Sequence, residues 1–234
     1  MKKLISLMLV CVMLCACATA LAAGKLEIAS QNIYTLMPYS DTVQAYAYAQ
    51  VENTGDKTIY YSDGLFELYD AEGEVLASEA YLTCCPKVLQ PGEKGYLFTS
   101  YVRLDDGVAQ DAVDDYMLDV TGKGKGDYVV TRYPATVELE IVEDKYSKEM
   151  NMYVTIENNS DKTVYDMNIV AAVLDANGAP VFAENTTFYN MGIPAGMKAV
   201  AVLDVTSAVI DFFDTNGFVP TSVDCIAYTE EYSY

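Results

Sequence analysis

From Thr42 onward the chain alternates. In "VQAYAYAQVEN", Val43, Ala45, Ala47, Ala49 and Val51 fall in one row, and Gln44, Tyr46, Tyr48, Gln50 and Glu52 in the other. Successive side chains of a strand point to opposite faces, so the first row is expected to be core and the second outward. The same pattern returns later. Met150, Met152, Val154 and Ile156 alternate with Asn151, Tyr153, Thr155 and Glu157. Each strand is followed by a polar turn, "NTGD" or "NNSD", whose side chains bond their own backbone. Further strands run into "LFELYD" and "VAAVLD". Hairpin turns "DAEGE" and "DANGA" and a Pro-Gly turn "QPGE" follow.

These parallels belong to one duplication. A shift of 105 residues lays "VENTGDKTIY" at Val51 over "IENNSDKTVY" at Ile156. Glu52, Asn53, Asp56, Lys57, Thr58 and Tyr60 recur as Glu157, Asn158, Asp161, Lys162, Thr163 and Tyr165. "KLEI" at Lys25 is matched with "ELEI" at Glu138, and "VDDYML" at Val113 with "VDCIAY" at Val223. A repeat of this length suits two complete domains rather than a solenoid. Core volumes trade between the copies. Ala45 and Ala47 go with Phe66 in the first, whereas Met150 and Met152 go with Ala171 in the second, which keeps a shared interior at constant density. Short strands at regular spacing with turn signals predict an all-β chain of two tandem β-sandwiches. Helix is confined to "DDGVAQDAVDDY" at Asp105 and "SAVIDFFDTNG" at Ser207, each read as a short turn or helical crossover.

"FELYD", Phe66 to Asp70, with its Asn turn upstream and Gly and Pro-Gly turns downstream, resembles the FxLYD domain, a bacterial extracellular immunoglobulin-like module. Residues 24–122 carry the resemblance. Residues 135–234 have "AAVLD" instead and keep only the final Asp. The resemblance implies immunoglobulin-like sandwiches in an exported protein and carries over no catalytic residue. Residues 123–134 are expected to link the two copies: "TGKGKG" is flexible in composition, and "DYVVTRYPA" is able to run into the next strand.

The N-terminus changes the picture of where the protein works. Lys2 and Lys3, an apolar run from Leu4 and the small residues Ala20 and Ala22 have the layout of a signal peptide over 1–22, cleaved before Ala23. An uncleaved anchor is the rival reading. "LCAC" resembles a lipoprotein cleavage site with Cys17 as the lipidated residue, although Cys15 departs from the usual pattern. The chain of 234 residues carries a net charge of −20, or −22 without Lys2 and Lys3. Such a chain repels phosphate backbones, so nucleic acid is not an expected partner, and membrane contact is expected only through the signal or a lipid. Localisation is expected to be extracellular or at the cell envelope.

Candidate chemistry is sparse. Without histidine there is no Ser-His or Cys-His pair and no usual metal ligand, so no catalytic residue and no cofactor are assigned. Cys84, Cys85 and Cys225 remain after the signal. Their odd number and the adjacency of two leave free thiols as the expectation. Asp105, Asp106, Asp111, Asp114 and Asp115 form an acidic cluster that suggests calcium, but without EF-hand spacing and without a counterpart in the second copy. Paired carboxylates leave a glycoside-hydrolase alternative open. Twenty tyrosines and no tryptophan direct attention to Tyr46, Tyr48 and Tyr153, which point away from the predicted core. They are the partner-binding candidates for a protein or glycan at the envelope; stiffening cross-strand tyrosine pairs are the plainer reading. The function expected is a non-catalytic binding, adhesion or scaffold role, or else that of a lipid-anchored accessory subunit.

Overall fold

The computed structural model describes residues 24–39, 42–99, 101–124, 128–145 and 147–232. The signal segment and Cys17 lie outside the described residues. Among the described residues sixteen strands form four antiparallel sheets. In the N-terminal half, β1 (Leu26–Tyr39), β2 (Thr42–Asn53), β7 (Lys94–Phe98) and β5 (Thr83–Cys85) lie side by side in that order, and β8 (Val102–Arg103) also pairs with β2. We name this sheet II. Facing it is sheet I, in which β3 (Ile59–Tyr69) is flanked by β9 (Asp115–Gly124) on one side and by β4 (Val75–Glu79) and β6 (Val88–Leu89).

The C-terminal half repeats the plan. Sheet III is ordered β10 (Tyr128–Tyr133), β16 (Ser222–Tyr232), β13 (Met167–Leu174), β14 (Pro180–Phe188). Sheet IV is ordered β11 (Ala135–Glu143), β12 (Lys148–Glu157), β15 (Lys198–Asp204). The helix α1 (Ser207–Thr215) follows β15 and buries Val209, Ile210 and Phe213. The corresponding segment at Asp105 makes only a 3-10 turn, Gln110–Ala112, with no buried residue.

The predicted apolar rows are core. Val43, Ala45, Ala47, Ala49 and Val51 join Phe66 and Leu68 in one buried cluster between sheets I and II. Met150, Met152, Val154 and Ile156 join Ala171 in a second cluster. Turn chemistry repeats atom for atom. Asn53 is fully buried and donates to the carbonyls of Lys57 (2.8 Å) and Leu89 (2.9 Å), while its Oδ1 accepts from Gly55 N–H (3.0 Å). Asn158 does the same with Lys162 (2.7 Å), Ile193 (2.7 Å) and Ser160 N–H (3.0 Å). One amide side chain thus satisfies backbone groups that the turn would otherwise leave orphaned in the core.

The flanks of the repeat need correction. Glu138 pairs with Tyr153, the counterpart of Tyr48, which pairs with Asn32; Glu138 therefore stands at the position of Asn32, not Lys25. Val223 pairs with Val173, the counterpart of Leu68, and so matches Tyr116 rather than Val113. Alternating tetrapeptides look alike at many offsets, and a register shift in β1 between Ile28 and Ser30 moves its frame. The expected linker is also shorter, because residues 128–133 are β10, paired with β16. Pro134 ends β10, and the chain passes directly into β11 of the opposite sheet.

Candidate binding site at the seam between the halves

The outward face of sheet II is not a solvent face. Tyr46, Tyr48, Tyr96 and Phe98 are 6%, 2%, 1% and 6% exposed, and they belong to the same buried cluster as the C-terminal core. The sheets therefore stack in the order I, II, III, IV, with an aromatic seam between II and III. Cross-strand register builds the seam. Tyr34 sits opposite Tyr46, Tyr48 opposite Phe98, and Tyr96 opposite Cys85. Tyr34 stacks on Tyr46 (5.8 Å between centroids) and on Phe212 of α1 (4.2 Å), and Tyr48 meets Phe182 at 5.7 Å. Such ring pairs contribute beyond their buried area.

Polar groups also bond across the same seam. Tyr34 Oη donates to the Val181 carbonyl (2.8 Å), Tyr96 Oη to Asp224 (2.5 Å), and Asn32 to Asp175 (3.3 Å) and the Pro180 carbonyl (3.1 Å). The Lys87 amide donates to Glu230 (3.0 Å), and Arg132 donates to the Lys94 carbonyl (2.9 Å) while pairing with Glu93 at 3.1 Å. Burial pushes the Tyr34, Tyr48, Tyr96 and Tyr228 hydroxyls well above the ordinary phenol range, so they are hydrogen-bonding groups and not bases.

Where the seam meets solvent it opens into a cavity of about 500 Å³, lined by the edges of Tyr46, Tyr48, Phe98, Tyr101 and Phe182 and by Glu184. Hydroxyls of Thr83, Thr99, Thr206 and Ser207 complete a wall without lysine or arginine. Among the described residues lining it, Glu184 is the lone carboxylate. Ring edges, hydroxyls and one carboxylate thus meet here, with Tyr101 the one ring of the wall that is largely exposed; ligand pockets commonly sit at such junctions.

The partner candidates thus part company. Tyr46 and Tyr48 face the other half of their own chain. Tyr153, at the position equivalent to Tyr48, lies on the open face of sheet IV and donates to Glu140 (3.0 Å). Sequence reasoning missed Tyr34, Tyr96, Phe98 and Phe182. The missed signal is "GYLF" in β7, which is apolar on both faces, as strands covered on both sides are.

The aspartates of the acidic loop do not gather: Asp106 pairs with Arg103 (2.6 Å), and Asp115 accepts from the Tyr116 amide (2.8 Å). Among the described residues no three His, Cys, Asp or Glu side chains are placed to hold a metal. The three described cysteines are free thiols. Cys84 faces the N-terminal core and Cys85 the seam. Burial raises both, Cys85 to about 11, and Cys225 likewise to about 11. Thiols held protonated in this way are poor nucleophiles. No helix among the described residues is long and apolar enough to cross a membrane. No protein-family model matches the chain, and no curated protein matches it significantly.

Proposed function

We propose that the protein is an exported, non-catalytic binding or scaffold module of the bacterial cell envelope. In this reading it consists of two immunoglobulin-like domains of FxLYD type joined as one rigid body. The carrying observation is the seam: Tyr46, Tyr48, Tyr96 and Phe98 are buried against the C-terminal half, which gives the halves one mutual orientation. The seam cavity supports a site for a glycan or for a segment of a protein of the envelope, met by ring edges and hydroxyls. A hydrolase needs two facing carboxyl groups, and Glu184 has no second carboxylate beside it among the described residues lining that cavity.

The test is titration of soluble envelope oligosaccharides and peptides against the protein by calorimetry. Saturable binding is expected, lost in Tyr101→Ala and Glu184→Gln and retained in Tyr153→Ala. Cleavage of a titrant, or binding that ignores the seam variants and follows Tyr153→Ala, would overturn the reading. Mass spectrometry of the exported N-terminus separates a free Ala23 from an acylated Cys17, which decides between the secreted and lipid-anchored forms.

A further inference from the structure

The two halves treat one strand differently. In the C-terminal half β16 lies between β13 and β10, and Ala227, opposite Tyr133 of β10, is 1% exposed. The equivalent strand in the N-terminal half is β9. Val120 pairs with Gly64 as Ala227 pairs with Ile169, and Gly64 and Ile169 correspond in the repeat. Among the described residues, β9 has β3 as its single neighbour. The residues ahead of β11 cross at Pro134 to cover β16, whereas β1 begins at Leu26 with only two described residues before it. The inward row of β9 is correspondingly uncovered: Tyr116 is 43% exposed, and Leu118 and Val120 are half-buried. A groove of about 570 Å³ lined by Leu26, Ile28, Asp119 and Val120 opens beside this edge.

The open edge is chemically legible. The amides of Tyr116 and Val120 donate to the carboxylates of Asp115 (2.8 Å) and Asp119 (2.9 Å) instead of to β3. Even-numbered residues therefore present their amides and carbonyls outward. Antiparallel pairing of β9 with a second β9 about Thr121 matches even with even, setting Val120 against Gly122 and Leu118 against Gly124 as hydrogen-bonded pairs. The same register sets Asp119 against Lys123, twice by symmetry, in the pairs whose side chains approach closest. A register centred on residue 119 sets Asp119 against itself, and one centred on residue 120 sets it against Thr121.

We propose that β9 is a self-association edge: two copies of the chain join β9 to β9 in this register, continuing sheet I across a two-fold axis. On pairing, Asp119 releases the Val120 amide to the Gly122 carbonyl of the other copy and turns to its Lys123.

The test needs no ligand: light scattering of the purified full chain over a concentration series at about 0.15 M salt, where repulsion between the acidic chains is screened beyond about 8 Å. A concentration-dependent dimer is expected. Val120→Pro removes an amide that faces away from β3, a position where edge strands accept proline, and is expected to be monomeric while still unfolding in one cooperative transition. Asp119→Lys and Lys123→Asp are each expected to weaken the dimer about tenfold, and the double variant to restore it. A wild-type chain that stays monomeric, a dimer untouched by Val120→Pro, or charge variants that do not rescue each other would overturn the proposal. The charge pair keeps the test decisive if the proline variant does not fold.

Discussion

Tyr48 and Tyr153 stand at the same position of the repeat, on the same strand and pointing away from the same kind of interior, yet their surroundings differ. Tyr48 is 2% exposed and packs on Tyr34 and Phe182. Tyr153 looks out from a face that also carries Glu138, Glu140, Glu149 and Glu157. The repeat carries the plan of the sandwich but not the company its outer face keeps. The neighbours of Tyr48 on that face are aromatic and lie under a second layer; those of Tyr153 are acidic and open. What makes an interface here is the composition of a whole sheet face, not one tyrosine.

The largest expected effect follows from that contrast. Tyr48→Ala should lower unfolding stability by about 3–5 kcal/mol, the usual loss for a buried aromatic side chain, as read from equilibrium denaturation. It should also uncouple the halves, so that a single transition becomes two. A single transition with a loss below about 1 kcal/mol would mean that the seam does not join them.

Next come the two positions where the halves are alike. Asn53→Ala and Asn158→Ala each strip a buried turn of its bonds to two carbonyls and one amide. Each should cost about 2–3 kcal/mol, and the two losses should agree, because the atoms involved repeat. Unequal losses would show that the seam reaches into the turns.

These asparagines mark how far the sequence could be read. The turn, the alternating core rows and the all-β class were legible, because they rest on local pattern and on contacts within one strand or hairpin. The seam was not, because outward residues of a strand look alike whether water or another sheet covers them. Two signs of it stood in the chain all the same. "NIVAAV" in β13 and "GYLF" in β7 break the alternation, and both strands are buried on both faces. The flanking matches at Lys25 and Val113 misled because no turn residue anchored them.

A smaller effect separates Cys84 from Cys85. Cys85 lies in the seam, and burial raises its thiol from 9.0 to about 11, with a hydrogen bond from Tyr228 pulling the other way. The folded state thus holds this proton more tightly than the unfolded chain. Its contribution is complete below pH 9 and is lost as pH rises towards 11. Denaturation midpoints should therefore fall over that window, less steeply in Cys85→Ala. Alkylation distinguishes the two thiols further: Tyr48→Ala should speed labelling of Cys85, in the opened seam, and leave Cys84, inside the sandwich, slow.

The smallest effect is the one that completes the comparison. Tyr153→Ala removes a ring from the open face of sheet IV and a hydrogen bond to Glu140, both in contact with water, and should change stability by less than about 0.5 kcal/mol. Val200 and Val202, its neighbours on β15, are 54% and 51% exposed, so little apolar area is lost with the ring. Denaturation of Tyr48→Ala and Tyr153→Ala side by side then measures what one covering layer adds to a position the repeat otherwise holds constant. Equal losses would place a second layer over sheet IV in solution, and the contrast between the two faces would disappear.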